Sequence, residues 1–225
     1  KIISIDNYSS GFKKNHVKST RVKYISSHTK NIYQILKKPK NVEAIFHFGE
    51  FARIYQSFLK MDQCLDSNTI GTNAIFNFCL INKIKLIYSA TSASLGNEGK
   101  DKNLSPYAFT KSKNLELLEN LKKWFNFKYE IIYFYNVYGP KQIGEGDMAT
   151  VIGIFENFYK KKKFLPVVKP GTQTRRFTHI DDTVKICYLA WKNNLNRHYS
   201  ISHKQSYSIL GVAKLFKKRI KFLPK

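Results

Sequence analysis

The sequence has few cysteines, few acidic residues and no long apolar run. Its three cysteines, Cys64, Cys79 and Cys187, lie far apart in apolar surroundings and match no C-x-x-C spacing. That excludes the common metal and redox arrangements and predicts reduced core thiols in a cytoplasmic protein. Charged residues interrupt every apolar stretch well before the roughly 20 residues that a bilayer-spanning helix needs, so no membrane partner is expected. No secretory signal is visible. No G-x-x-G-x-x-G or G-x-G-x-x-G run occurs, and no repeat, low-complexity tract or flexible linker marks independent modules. Acidic residues number 15 against 39 Lys and Arg, a formal net charge of +24. A nucleic-acid partner would suit that balance. The lysines, however, are scattered over predicted helix faces, with only short clusters such as Lys160 to Lys163. We read them as solvated surface that also steers an anionic substrate, and no nucleic acid is expected.

What is present is a chain of 225 residues, 43% apolar and rich in aromatics, enough for one large domain with a smaller one attached. Short runs rich in Ile, Val, Phe and Tyr alternate with segments of helical period, which predicts a parallel sheet covered by helices. The predicted strands are Ile2 to Asp6, Val22 to Ile25, Glu43 to Gly49, Lys85 to Thr91 and Tyr129 to Asn136. Predicted helices lie near Asn31 to Lys38, Asn68 to Asn82 and Tyr107 to Phe127. From Gly139 onward Gly and Pro loosen the pattern, with helices near Ala149 to Lys162, Asp181 to Lys192 and Ser208 to Lys217. We therefore expect a domain over 1–140 and a smaller mixed α/β region over 141–225.

The sharpest chemical signal is Tyr107-Ala108-Phe109-Thr110-Lys111, preceded by Thr91 at the end of a predicted strand. Positions i and i+4 share a helix face, so the Tyr107 phenol and the Lys111 ammonium reach one pocket. A cation there lowers the phenol's pKa and lets tyrosinate act as a base. A bare Y-x-x-x-K is common on surface helices. Here Ser105-Pro106 supplies a helix start, and Thr91 stands at the carboxyl edge of the sheet, where open α/β sheets bind ligands.

These residues resemble the extended short-chain dehydrogenase/reductase family, in particular its nucleotide-sugar epimerases and dehydratases of the UDP-glucose 4-epimerase-like kind. The resemblance covers nearly the whole chain, with seven elements in family order. It implies a Rossmann-type doubly wound parallel sheet with a smaller mixed α/β substrate domain, NAD as cofactor, a nucleotide-sugar substrate and a homodimer. Asp6, followed by Asn7, matches the acidic residue that binds the adenosine ribose and favours NAD over NADP. His47, Phe48 and Gly49 match the loop passing under the cofactor. Asn68, in Asn68-Thr69-Ile70-Gly71-Thr72, matches an element beside the active site. Tyr135 and Asn136, in Tyr135-Asn136-Val137-Tyr138-Gly139-Pro140, resemble the loop along the nicotinamide and the start of the substrate pocket. Arg175, in Arg175-Arg176-Phe177-Thr178-His179-Ile180-Asp181-Asp182, matches an arginine that contacts the substrate diphosphate. The dimer would pair helices Asn68 to Asn82 and Tyr107 to Phe127 through apolar residues including Phe76, Phe78, Leu117 and Leu121.

Each residue also has a plainer reading. His47 suits a hydrogen-bonded core histidine, Asn68 and Asp181 suit helix caps, the favoured reading for Asp181, and Arg175 suits a surface charge, although its fork fits phosphate. The chain departs from the family where Arg176 stands in place of Asp and Asn31 in place of an acidic residue. It also lacks the glycine-rich pyrophosphate turn. Lys1 opens inside an apolar segment, at what resembles the second strand, so we expect one βα unit of roughly 25 to 30 residues upstream. The end at Phe222-Leu223-Pro224-Lys225 is expected to fall before the last part of the substrate domain.

The resemblance implies that Tyr107 takes a sugar hydroxyl proton, hydride passes to the nicotinamide, Thr91 binds the developing carbonyl oxygen and Lys111 holds the nicotinamide ribose. A 4,6-dehydratase carries Asp-Glu after the catalytic Thr; here Ser92-Ala93 follow Thr91. This favours an epimerase acting at C4 through a 4-keto intermediate. A dehydratase or reductase of the same family, and a catalytically silent NAD-binding or basic scaffold protein, are the alternatives.

Overall fold

The computed structural model describes residues 1–224, with the side chains of 93 and 96–99 outside the description. The chain divides into two compact units, one of residues 1–133 with 187–199 and one of 134–186 with 200–225.

In the first unit β1 (Ile2–Asp6) leads through a loop to β2 (Val22–Ser26), and the two pair in parallel, Ile2 opposite Val22 and Asp6 opposite Ser26. A short α1 (Ile32–Ile35) follows, then β3 (Ala44–His47). Helices α2 (Ile54–Leu59) and α3 (Met61–Leu65) run into a π-helical turn at Asp66–Gly71 and on into α4 (Thr72–Ile81). Next come β4 (Lys85–Thr91), the long α5 (Pro106–Phe125) and β5 (Tyr129–Phe134). Leu86, Ile87, Tyr88, Ile131 and Ile132 are fully buried. Such continuous apolar runs mark strands covered on both faces. Helix α5 has a strong start: Ser105 Oγ accepts from Ala108 N–H at 3.0 Å and Pro106 occupies the first turn, where a missing N–H costs nothing. Asn126, left-handed at φ 53°, ends it.

In the second unit are β6 (Val137–Tyr138), α6 (Val151–Lys160), β7 (Leu165–Val168), β8 (Thr174–Arg175) and β9 (Thr178–His179). Helix α7 (Ile180–Asn193) and β10 (His198–Ile201) carry the chain through the 187–199 stretch of the first unit. The second unit closes with β11 (Tyr207–Ser208), α8 (Ile209–Leu215) and β12 (Ile220–Leu223). Strand β7 pairs in parallel with β12. Its core gathers Phe155, Leu165, Val167, Phe177, Val212 and Ala213.

Four expectations change. The predicted single sheet is two hydrogen-bonded pieces, β1-β2 and β10-β5-β4-β3, with no strand pairing joining them among the described residues. The helix expected from Asn68 extends back to Met61 through the π turn, so Asn68 lies inside helical structure and is not a cap. Asp181 likewise falls within the first turn of α7, accepting the helix dipole's favour for an acid there rather than capping it. The residues expected at a dimer contact turn inward as well: Phe76, Phe78 and Leu121 are core residues of this chain. Exposed apolar side chains sit instead at Phe58, Leu59, Met61, Ile70 and Phe109. Among the described residues no helix is long and apolar enough to cross a membrane. At Gly71 a Cβ would lie 2.4 Å from Thr29 Oγ1, so only glycine lets the π turn close onto the segment after β2.

Candidate active site

Strand β4 delivers Thr91 at its carboxyl end and the first turn of α5 delivers Tyr107, with Lys111 one turn on. All three are buried, Tyr107 the least, at 9% exposed. The Thr91 and Tyr107 hydroxyls share a hydrogen bond. Helix α2 docks on the same turn, where Ser57 Oγ accepts from Tyr107 N–H at 3.2 Å. The sequence set Thr91, Tyr107 and Lys111 is therefore brought together by one strand end and one helix start.

The electrostatics differ from expectation. Burial, first of all, pushes the Tyr107 phenol up to about 12, with the Glu50 charge adding to it; the Thr91 hydrogen bond and the Arg53 guanidinium pull it down. Lys111 was expected to depress it. In the structure its ammonium is ion-paired with Glu50 Oε2, donates to the Ser89 carbonyl, and lies 4.7 Å over the Tyr88 ring. An ammonium bound to a carboxylate presents little net charge to a neighbour.

Glu50 is the residue that sequence reasoning missed. Its side chain is only 2% exposed. Oε1 accepts from Thr72 Oγ1 at 3.0 Å, Tyr88 OH at 3.0 Å and Asn114 Nδ2 at 3.2 Å. With the Thr72 proton given to Glu50, His47 donates to Thr72 Oγ1 from Nε2, at 2.9 Å. Burial lowers His47 to about 4, so it is the neutral, hydrogen-bonded core histidine of the plainer reading. One signal was available: Tyr107, Lys111 and Asn114 fall at i, i+4 and i+7, one stripe of a helix.

Asn68 has no exposure and ties three elements together. Its Oδ1 accepts from Phe51 N–H at 2.7 Å, and its Nδ2 donates to Phe51 O at 3.2 Å and Thr110 Oγ1 at 3.1 Å. It therefore holds the loop that carries Phe48, Gly49 and Glu50. Phe48 and Gly49 themselves are exposed on that loop.

Asp6 and Asn7 stand at the carboxyl end of the other sheet piece, and no described contact joins them to the Tyr107 cluster. Asp6 Oδ1 accepts from Tyr8 N–H at 2.7 Å, and Asn7 Oδ1 accepts from Ser9 N–H at 3.0 Å. A Cβ at Gly11 would lie 3.2 Å from Asp6 Oδ2, so glycine there leaves that oxygen open to a ligand hydroxyl pair. In this respect the residues fit the ribose of a dinucleotide. Tyr135, Asn136 and Arg175 belong to the second unit. Tyr135 OH accepts from Ser200 Oγ at 3.1 Å, Asn136 Nδ2 donates to Arg176 O at 2.9 Å, and the exposed Arg175 donates to Thr174 O at 2.9 Å. A cavity of about 520 Å³ in this unit is lined by Tyr159, Leu215, Phe216, Lys217 and Lys218, none of them a predicted site residue.

A family model described as the NAD dependent epimerase/dehydratase family matches residues 1–202. The ADP-L-glycero-D-manno-heptose-6-epimerase of Fusobacterium nucleatum is 29% identical over 193 residues, covering 77% of this chain and 58% of the relative. The protein of that name from Brachyspira hyodysenteriae is 28% identical over 234 residues, covering 96% of this chain and 72% of the relative. The chain thus spans little more than half the length of the first of these relatives. Among solved structures, the UDP-glucose 4-epimerase of Thermotoga maritima with UDP-glucose is similar with a TM-score of 0.85 at 22% identity, over 99% of this chain and 77% of that one. The Thermus thermophilus UDP-glucose 4-epimerase complex with NAD gives 0.85 at 18% identity, over 99% of this chain and 78% of that one. At these identities the structures show the fold, an α/β arrangement of Rossmann type.

Proposed function

Since the chain belongs to the NAD dependent epimerase/dehydratase family, we propose that it serves an NAD-dependent epimerisation of a nucleotide sugar, at C4 through a transient 4-keto intermediate. The observation that carries this reading is the Thr91–Tyr107 hydroxyl pair at the end of β4, beside the buried Lys111. When bound, NAD supplies the acceptor that takes the electron pair and returns it, so the reaction has no net redox change.

Tyr107, as tyrosinate, takes the proton of the sugar hydroxyl and gives it back to the product. Thr91 donates to the oxygen that becomes a carbonyl, where a hydrogen bond strengthens as negative charge develops. Lys111 spends two donors on Glu50 and Ser89 and keeps a third for the nicotinamide ribose. Asp6 holds the adenosine ribose with Asn7 beside it, and the loop of His47, Phe48 and Gly49, fixed by Asn68, underlies the cofactor. Tyr135 and Asn136 border the substrate, and Arg175 binds its diphosphate. Apolar side chains on α2, α3 and α5, which pack on one another, favour a homodimer.

The second reading is a 4,6-dehydratase, which needs further acid and base groups to expel water. Thr91 is followed by Ser92 and Ala93, neither able to titrate, and the Ala93 side chain lies outside the described residues. Proton NMR of UDP-, ADP- and dTDP-hexoses incubated with protein and NAD tests the choice. Inversion at C4 without water loss is expected, with Tyr107→Phe at least about 100-fold slower while its circular dichroism is unchanged. Loss of the C6 hydroxyl would make it a dehydratase, and equal turnover by Tyr107→Phe would remove the assignment altogether.

A further inference from the structure

We propose that His16 and Tyr8 are positioning residues for the cofactor: together they aim the Asp6 carboxylate at the adenosine ribose. The inference rests on the reading of Asp6 as the ribose ligand. It is carried by an unbroken series of contacts that runs from β2 across the β1–β2 loop to Asp6 Oδ1.

The series starts on Tyr24, in β2. Its hydroxyl accepts from Val17 N–H at 2.8 Å, which fixes the backbone beside His16. The His16 imidazole lies flat on the Tyr24 ring, with centroids 3.7 Å apart and planes 4° from parallel. Across the loop, His16 Nε2 shares a hydrogen bond of 2.9 Å with the Tyr8 hydroxyl. Tyr8 N–H donates in turn to Asp6 Oδ1 at 2.7 Å.

Tyr8 holds an unusual conformation. Its φ of 57° is left-handed, a region that suits glycine or asparagine and disfavours a tyrosine. A residue keeps such a conformation only where its surroundings over-determine it, and such residues gather at ligand sites. Here three contacts hold it: Asp6 on its N–H, His16 on its hydroxyl, and the Lys13 ammonium 5.4 Å from its ring centroid. The chain then folds back, so that Gly11 lies against the second carboxylate oxygen, where a Cβ would be 3.2 Å from Oδ2.

The two oxygens of Asp6 thereby take different tasks. Oδ1 is occupied by Tyr8 N–H, and Oδ2 faces the glycine that leaves room for a ligand hydroxyl. The Asp6 side chain is exposed and, left to itself, would exchange among staggered rotamers. Fixing Oδ1 removes that freedom before the ligand arrives and lowers the ordering cost of binding. Asp6 supplies the charge, while Tyr8 and His16 supply its direction without touching the ligand.

The test is calorimetric titration of the full protein with two probes, NAD and an analogue whose adenosine ribose lacks both hydroxyls. Tyr8→Phe removes only the hydroxyl, and His16→Phe keeps a ring on Tyr24 with no nitrogen for Tyr8. In each, NAD is expected to bind about fivefold more weakly, the loss of one hydrogen bond's worth of alignment, while the analogue binds as before. The double variant should be no weaker than either single one, because both cut the same link. In the free protein, the Tyr8 amide proton should lose its carboxylate-bonded downfield position in both variants. Unchanged NAD affinity, or an equal loss for both probes, overturns the proposal and leaves Tyr8 and His16 as loop packing. If one variant does not fold, the other decides, since each alone breaks the bond. Asp6→Asn separates the two failures: if it weakens NAD while the Tyr8 and His16 variants do not, the positioning role alone is refuted. If Asp6→Asn also leaves NAD affinity unchanged, or the unmodified protein takes up no NAD, the ribose reading itself is refuted and the proposal with it.

Discussion

Asn68→Ala tests how the site is held together. The Asn68 amide is fully buried and spans Phe51 N–H at 2.7 Å, Phe51 O at 3.2 Å and Thr110 Oγ1 at 3.1 Å. Alanine leaves the Phe51 donor and acceptor without those partners. An orphaned buried polar group costs about 1–3 kcal/mol. Thr110 fares better, because its own proton already goes to the carbonyls of Pro106 at 2.9 Å and Tyr107 at 3.1 Å. Phe51 is half-buried, so water recovers part of the loss, and we expect a destabilisation of about 2–3 kcal/mol. Urea unfolding followed by fluorescence should show a lower midpoint at unchanged slope. A double-mutant cycle with Thr110→Val should give a coupling well below the Phe51 contribution, since only one of the three bonds joins the pair. A loss under about 0.5 kcal/mol, the level of an ordinary surface change, would mean that Asn68 does not tie the Glu50 loop to α5, and the account of how the loop is fixed would fall.

Further outcomes concern pH, cofactor and assembly. Burial holds His47 at about 4, below its unfolded value; the unfolded chain therefore binds the proton more readily, and stability should fall as pH drops from about 6.5 toward 4, by roughly 3 kcal/mol, and level off below. Urea midpoints against pH check this, and a His47→Gln protein should lack that part of the slope. Asp6→Asn, which keeps the shape but loses the charge, should weaken NAD about 10- to 100-fold and narrow the gap between NAD and NADP; calorimetric titration with both cofactors decides, and unchanged affinity would remove Asp6 from the site. Sedimentation of the full protein at micromolar concentration should give a dimer, and Phe109→Asp, on an exposed apolar side chain of α5, should shift it to monomer; a monomer at the outset would leave that face without a role.

Much of the first unit was legible because both of its periods are strong. Ile2 to Asp6 and Lys85 to Thr91 were placed to the residue, since a buried strand bounded by polar residues has sharp ends. Helix α5 was placed within two residues at each end, because Ser105-Pro106 is a strong start and only its end, a left-handed Asn126, lacked a glycine to announce it. The helices before Asn68 were missed: Ile54 to Leu65 puts Tyr55, Phe58, Leu59 and Met61 on the surface, so the apolar pattern has no inward stripe to read. The π turn at Asp66–Gly71 shifts the helical phase and hid the continuity. In the second unit β6, β8, β9 and β11 are two residues long, too short for any alternation to show.

The site followed the same division. Thr91, Tyr107 and Lys111 were legible because a strand end and a helix turn have fixed geometry. Glu50 was not, because its partners come from three separate elements, α4, β4 and α5, and no spacing links those elements to it. Its energetics show why it stands there at all. Removing a carboxylate and an ammonium from water costs several kcal/mol each, and the attraction between them repays this only when the other lone pairs are also satisfied. Oε1 of Glu50 meets that condition with Thr72, Tyr88 and Asn114, and the Lys111 ammonium meets it with the Ser89 carbonyl and the Tyr88 ring. A pair of well-packed apolar residues would stabilise the fold as well or better. The pair is therefore a weak stabilising contact that holds the lysine charged and fixed one helical turn from Tyr107.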